Sequence, residues 1–229
     1  MDRETMQKRL DELIWRVEEA RIRRSEHHIV KIVAVSKYAD EAQIRMLYDL
    51  GQRAFGENRV QNLQERVEKL DDLPIEWHFI GRLQKNKINH LIRANPFLMH
   101  SLDSLELAEA MQKRLAEQDT TMECLMQINS AREETKAGVD PDEAVEAYLR
   151  IKERCPAIDL RGVMTIGAHT DDEAAIRKSF ETTYAIFDIL KKEGAEICSM
   201  GMSHDFELAI ECGANMIRVG SLLFTRPDA

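Results

Sequence analysis

Met6, Leu10, Leu13, Ile14 and Val17 fall at helical spacing within an otherwise charged stretch, which predicts an amphipathic helix over 3–24 whose apolar stripe must pack on something. The period then changes. Residues 29–36 read Ile-Val-Lys-Ile-Val-Ala-Val-Ser, a β-branched run too continuous for a half-exposed strand and suited to one buried on both faces of a parallel sheet. Strand-then-helix alternation recurs along the chain, with further strands expected at 53–56, 76–80, 97–100, 122–128, 160–166, 196–200 and 216–219. With the first run these make eight, at an average of about 29 residues per unit, which is the rhythm of a (β/α)8 TIM barrel. The expected architecture is therefore α/β: a single barrel domain over 1–229 with an extra N-terminal helix.

Punctuation supports the alternation. Asp103 with Glu106, Asp140 before Pro141 with Glu143, and Thr170 with Glu173 each read as helix starts, where a side-chain oxygen satisfies free backbone N–H groups. Gly51, Gly194 and Gly213 each follow a helix-like run and precede a strand, where a positive φ is needed.

Composition narrows the function classes. With 44% hydrophobic and 32% charged residues and no apolar run near the roughly 18 residues of a membrane span, the chain reads as soluble. Residues 1–24 show no secretory h-region, so cytoplasm is the default expectation. A formal net charge of −9 argues against nucleic acid as partner, because phosphate binding needs a concentrated basic face. The densest basic stretch, Arg21, Arg23, Arg24 and Lys31, reads as a solvated helix end favoured by the macrodipole. Cys124, Cys155, Cys198 and Cys212 are too widely spaced for a metal or redox pair and read as reduced thiols.

In such a barrel the chemistry sits at the carboxyl ends of the strands. The polar residues there are Lys37, Glu57, Asn58, Ser101, Asp103, Asn129, Thr165, Ser203 and the run from Arg218 to Ser221, with Gly81 closing the third strand. Lys37 follows Val33-Ala-Val-Ser directly, so its amine would lie near the mouth, where burial and a neighbouring cation favour nucleophilic lysines. A lysine that simply reaches out of the strand end fits the position equally well. The last two units tip the balance. Ser199-Met-Gly-Met-Ser203 puts a flexible backbone at Gly201 and the Ser203 hydroxyl before a helix over 205–211, and Arg218-Val-Gly-Ser221 adds Gly220 and a second hydroxyl. Loops after strands seven and eight commonly bind phosphate. A lysine facing a phosphate cradle fits a phosphorylated aldehyde held covalently, of which pyridoxal 5′-phosphate is the common biological case. Arg218 beside the pyridine nitrogen would disfavour its protonation and weaken the ring as an electron sink; a phosphate contact or an ion pair are its other readings. His78 and His204 read as structural residues, since neither has an Asp at a spacing that would build a triad with Ser203.

Six ordered motifs, Ala34-Val-Ser-Lys37, Phe55-Gly-Glu-Asn58, Trp77-His-Phe-Ile-Gly81 with Leu83, Gln84, Asn86 and Lys87, Ser101-Leu-Asp-Ser104, Ser199-Met-Gly-Met-Ser203 and Ile217-Arg-Val-Gly-Ser221, give nearly the whole chain a resemblance to the YggS/PROSC-type pyridoxal phosphate homeostasis proteins. Their barrel is similar to the N-terminal domain of alanine racemase and ornithine decarboxylase. The resemblance implies a Schiff base on Lys37, Asn58 beside the cofactor, a phosphate held by Ser203, Gly220 and Ser221, and a pocket completed by Met202 and Arg218. Arg59 and Arg82 depart from the family pattern, where an aromatic residue and a proline are common, and put the charge of the pocket rim in question.

Eight units consume the chain and leave nothing for the second, β-rich domain with which related racemases complete their sites. The expectation is thus a cofactor reservoir or transfer protein with at most slow side activity, a monomer or weak dimer. Apo forms of pyridoxal phosphate enzymes are the expected recipients, and Lys85, Lys87 and Lys136 are further lysines able to hold cofactor transiently. A one-domain racemase using water or Tyr38 as second base, and a Schiff-base lyase acting on sugar phosphates, are the alternatives; a pure interaction module ranks last.

Overall fold

Asp2 starts the first helix by accepting from the Thr5 N–H at 2.8 Å, and α1 (Arg3–Arg24) ends with three arginines in its last turn, which complement the dipole. Those arginines are all engaged: Arg21 with Glu18, Arg23 with Glu211, and Arg24 with the Glu211 carbonyl. The buried face of α1 is Met6, Leu10, Leu13, Val17 and Ala20. Ile14, expected in that stripe, is instead exposed beside Trp15. The stripe closes without it, because the steps 6, 10, 13, 17, 20 already alternate four and three residues.

The computed structural model describes residues 1–224. After α1 come eight strand–helix units: β1 (Lys31–Val35), α2 (Glu41–Asp49), β2 (Ala54–Glu57), α3 (Val60–Lys69), β3 (Glu76–Phe79), α4 (Ile88–Ala94), β4 (Leu98–Leu102), α5 (Leu105–Glu117), β5 (Met122–Ile128), α6 (Ala144–Arg154), β6 (Ile158–Thr165), α7 (Glu173–Leu190), β7 (Ile197–Ser199), α8 (Phe206–Glu211), β8 (Met216–Val219) and the short α9 (Ser221–Phe224). Each strand pairs in parallel with the next, and β8 closes on β1. The expected TIM barrel with its added N-terminal helix is the observed fold, and none of its described helices is long and apolar enough to cross a membrane.

Two cores follow from the closure. Outward side chains such as Phe55, Phe79 and Val163 join the helices in one large cluster, while Val33, Ala54, Leu98, Leu125, Met164 and Met216 fill the cylinder itself. Gly162 makes one irregularity possible. The β5–β6 register shifts between Cys124 and Leu125, Gly162 has φ +148°, and a Cβ there would stand 1.9 Å from the Ile197 carbonyl oxygen.

All three expected helix starts are displaced. Ser104, not Asp103, caps α5 by accepting from the Leu107 N–H; Asp172, not Thr170, caps α7; and Asp140 accepts from the Asp142 N–H in a turn that precedes α6. Each stretch offers several oxygens in a row, and the helix takes the one nearest its apolar phase. Gly51, Gly194 and Gly213 have the positive φ expected of them. Ser101, expected beyond the fourth strand, lies buried inside β4.

Candidate functional site

The carboxyl end of β1 carries Lys37 on a turn tied from below. Ser36 N–H bonds the Gly56 carbonyl at 3.0 Å, the Ala39 N–H closes the turn onto the Ser36 carbonyl at 2.9 Å, and Arg66 from α3 donates to the Ala39 carbonyl. Lys37 itself is exposed, so burial does not act on it as expected; its Nζ stands 4.9 Å from the centre of the Tyr38 ring.

Under this turn lies Glu57, fully buried at the end of β2. Its Oε1 accepts from Ser36 Oγ at 2.6 Å, Arg66 Nε is 4.0 Å away, and Oε2 has no hydrogen-bond partner. Burial pushes this carboxyl above the usual range, against the opposing pull of Ser36 and Arg66. A raised carboxyl pKa means the folded state holds its proton more tightly than the unfolded chain, so Glu57 lowers stability as pH rises through its folded value. Glu57→Gln keeps the Ser36 contact and removes that titration. Urea melts at acid and neutral pH should show the variant gaining on wild type toward neutral pH; equal differences at both would mean that folding leaves proton binding at Glu57 unchanged.

Asn58 follows on the exposed side of β2. Its backbone is pressed against Gly81, where a Cβ would come 1.8 Å from the Asn58 carbonyl oxygen, and Gly81 is held by Ser101 Oγ donating to its carbonyl at 2.5 Å. On the opposite side of the mouth the seventh and eighth units are joined. Gly201 has φ +96°, its carbonyl accepts from the Arg218 N–H at 3.0 Å, and the Gly220 N–H approaches Ser203 Oγ at 3.4 Å. Met202 N–H donates to Asp205 Oδ1 at 2.6 Å, which leads the chain into α8. Ser203, Gly220 and Ser221 thus share one loop junction, with Met202 at its exposed edge. Gly201 is also a packing requirement, since a Cβ would stand 2.7 Å from Ala209 Cβ.

Arg218 is buried in the barrel, and its head group donates to Ser199 Oγ at 2.7 Å and to the Thr165 carbonyl at 2.9 Å. Those acceptors are the last residues of β7 and β6, so the guanidinium lies at the carboxyl end of the barrel. No carboxylate pairs with it among the described residues, which removes the ion-pair reading; burial lowers its pKa to about 10. Its neighbours Ser199 and His100 were not singled out from sequence. His78 is the hydrogen-bonded structural histidine expected, with Nδ1 2.8 Å from His100 Nε2, and burial pushes it down to about 3. His204 is exposed ahead of α8.

A cavity of about 880 Å3 opens beside the mouth between the loop after β6 and α8, lined among others by Ile166, Lys136, His169, Met202 and Asp205. It includes neither Lys37, Asn58 nor Arg218. Lys136 is tethered there to Glu133 Oε1 at 2.8 Å and to the Gly167 carbonyl at 2.7 Å, and Lys85 pairs with Glu106.

Set against known proteins, residues 10–227 match the family described as alanine racemase, N-terminal domain. The chain is 55% identical over 216 residues to the pyridoxal phosphate homeostasis protein of Helicobacter pylori strain J99, covering 94% of this chain and 96% of that one. The human protein of that name is 34% identical, covering 86% and 77% of the two chains. Among solved structures, PipY of Synechococcus elongatus with pyridoxal phosphate bound superimposes with a TM-score of 0.81 at 32% identity, covering 96% of this chain and 99% of that one. Alanine racemase of Clostridium difficile, at 18% identity and a TM-score of 0.76, shares the fold over 99% of this chain and 58% of its own. The class is therefore the alanine racemase N-terminal type of barrel. Within it, the chain belongs to the pyridoxal phosphate homeostasis protein family.

Proposed function

We propose that this protein binds pyridoxal 5′-phosphate covalently through Lys37 and buffers or transfers it, with little catalysis of its own. The observation that carries this reading is the presence, at one end of the barrel, of an exposed primary amine and a buried arginine that makes no ion pair with a described carboxylate. A buried cation with no carboxylate in contact, only Asp205 acting from a distance, is costly and fits a site made to receive negative charge or a lone pair. The residues suit the group on other grounds too: Ser203, Gly220 and Ser221 meet where a phosphate would need hydroxyl and backbone donors, with Asn58 and Met202 as flanking walls. The PLP-bound PipY relative supports the choice of cofactor.

Lys37 would hold the cofactor through its amine, and the chemistry the cofactor would supply there is an aldehyde that condenses reversibly with primary amines, releasing water. The exposure of Lys37 suits reversal, since water and a recipient's amine reach it. Arg218 would turn a positive charge toward the ring, which would discourage a second proton there and so weaken carbanion chemistry. The residues pair poorly with racemisation for the same reason: His78 and His100, the buried bases of the barrel, are held neutral and bonded to one another. The reading extends to location and partners: a cytoplasmic single-domain protein whose recipients are apo forms of pyridoxal phosphate enzymes.

The test is absorbance and borohydride trapping of wild type and Lys37→Ala mixed with pyridoxal phosphate. Wild type should show a Schiff-base band that reduction fixes on the peptide holding Lys37, and Lys37→Ala should show none. A band that survives in Lys37→Ala moves the site to another lysine; no band in wild type defeats the cofactor reading. Exchange of amino-acid α-protons in deuterated buffer should stay slow, and rapid exchange would make the protein an enzyme.

A further inference from the structure

Four of the polar side chains inside the barrel form a single file. Arg218 donates to Ser199 Oγ at 2.7 Å, His100 Nδ1 lies 3.1 Å from the same oxygen, and His100 Nε2 lies 2.8 Å from His78 Nδ1. His78 Nε2 is buried and has no hydrogen-bond partner among the described residues. All four residues are buried, and they come from four strands, β8, β7, β4 and β3.

The direction of the file follows from counting donors. A guanidinium only donates, so Ser199 Oγ accepts from Arg218 and its own proton must go elsewhere. His100 Nδ1 is the acceptor within reach, which places the His100 proton on Nε2, where it is donated to His78 Nδ1 and leaves the His78 proton on Nε2. That arrangement has one unmet group, His78 Nε2–H. The reverse order would strand the Ser199 proton as well, and an unmet buried donor is the costlier arrangement. A carboxylate at either histidine position would have cancelled the arginine's charge; imidazoles do not.

We propose that Ser199, His100 and His78 are positioning residues for Arg218: a one-way hydrogen-bonded strut that holds the guanidinium at the ends of β6 and β7 while leaving its charge available to a ligand. What that charge meets rests on the reading that the mouth binds pyridoxal phosphate; the strut does not. Contact of the strut with cofactor is not required, since it acts through Arg218.

Two measurements test it together. Nitrogen-15 NMR of the ligand-free protein should find His78 and His100 both neutral and both protonated on Nε2; protonation on Nδ1 of either, or a charged ring, overturns the strut. Equilibrium binding of pyridoxal phosphate should weaken about tenfold in Ser199→Ala and in His100→Phe, the size expected for loosening a charged hydrogen bond. Arg218→Gln should weaken it at least as much, and adding Ser199→Ala to Arg218→Gln should weaken it no further. If Ser199 and His100 serve packing alone, their variants melt earlier but bind as wild type, or the double variant is additive, and the proposal fails. A wild type that binds no pyridoxal phosphate would defeat the functional reading, while the NMR result would still decide the strut.

Discussion

Arg218→Met should melt at a higher temperature than wild type and hold pyridoxal phosphate far more weakly. Arg218 is buried with two neutral acceptors and no described carboxylate partner, and burial lowers its pKa to about 10. The depression from the usual 12.5 corresponds to roughly 3 kcal/mol of folding free energy lost. The sign is that of a cation disfavoured by the fold: the penalty is complete at every pH below the folded value, so it is flat across the neutral range. Methionine fills similar volume without charge. It leaves Ser199 and the Thr165 carbonyl one partner short, at about 1 kcal/mol each, so the net gain is about 1 kcal/mol, a few degrees in melting temperature. On the proposed function, loss of the guanidinium should cost the cofactor a charged contact, on the order of 50-fold in dissociation constant. Thermal melts and cofactor titration read the two effects separately. A variant that melts several degrees lower would mean that the arginine's bonds outweigh its burial and that its role is structural.

The opposed signs expected at Arg218 explain why the strands were easier to read than the site. A strand buried on both faces must be apolar almost throughout, so 29–36 and 122–128 stand out and lie over β1 and β5. Helix starts were harder, because 103–104, 140–143 and 170–172 each line up several side-chain oxygens, and only tertiary packing selects the capping one. The places of Lys37, Ser203 and Arg218 near strand ends are legible because the order of strands along the chain identifies them. Their supports are not. His100 sits beside Ser101 in a short, otherwise apolar strand, and its meeting with Ser199, ninety-nine positions away, depends on the closure of the barrel. Its signal was the two-residue period with Leu98, which puts both on the inward face. Glu57 was legible as a strand-end carboxylate, but its burial under the Lys37 turn needed the β1–β2 register, which sets Val35 beside Gly56.

Gly81→Ala should be among the most damaging single-methyl changes in the protein, and its damage should reach the mouth. The added Cβ would sit 1.8 Å from the Asn58 carbonyl oxygen, 2.5 Å from its carbon and 2.8 Å from its Cα, all backbone atoms with no rotamer to yield. Gly81 is not among the residues of positive φ, so the cost is steric, not conformational. The two loops cannot part easily, since the Ile80 N–H bonds the Glu57 carbonyl at 3.0 Å and Ser101 pins the Gly81 carbonyl. Destabilisation of about 2–4 kcal/mol follows, or roughly 5–15 °C in melting temperature. Gly51→Ala is the control: φ there is +108° but nothing lies within 4 Å of the new Cβ, so it should cost only about 1 kcal/mol of backbone strain. Because the displaced segment carries Asn58 and continues from the strand beneath Lys37, Gly81→Ala should also weaken cofactor binding at temperatures where it remains folded, whereas Gly51→Ala should not. Equal melting temperatures for the two variants would show that the second and third loops of the barrel are not locked together at this contact.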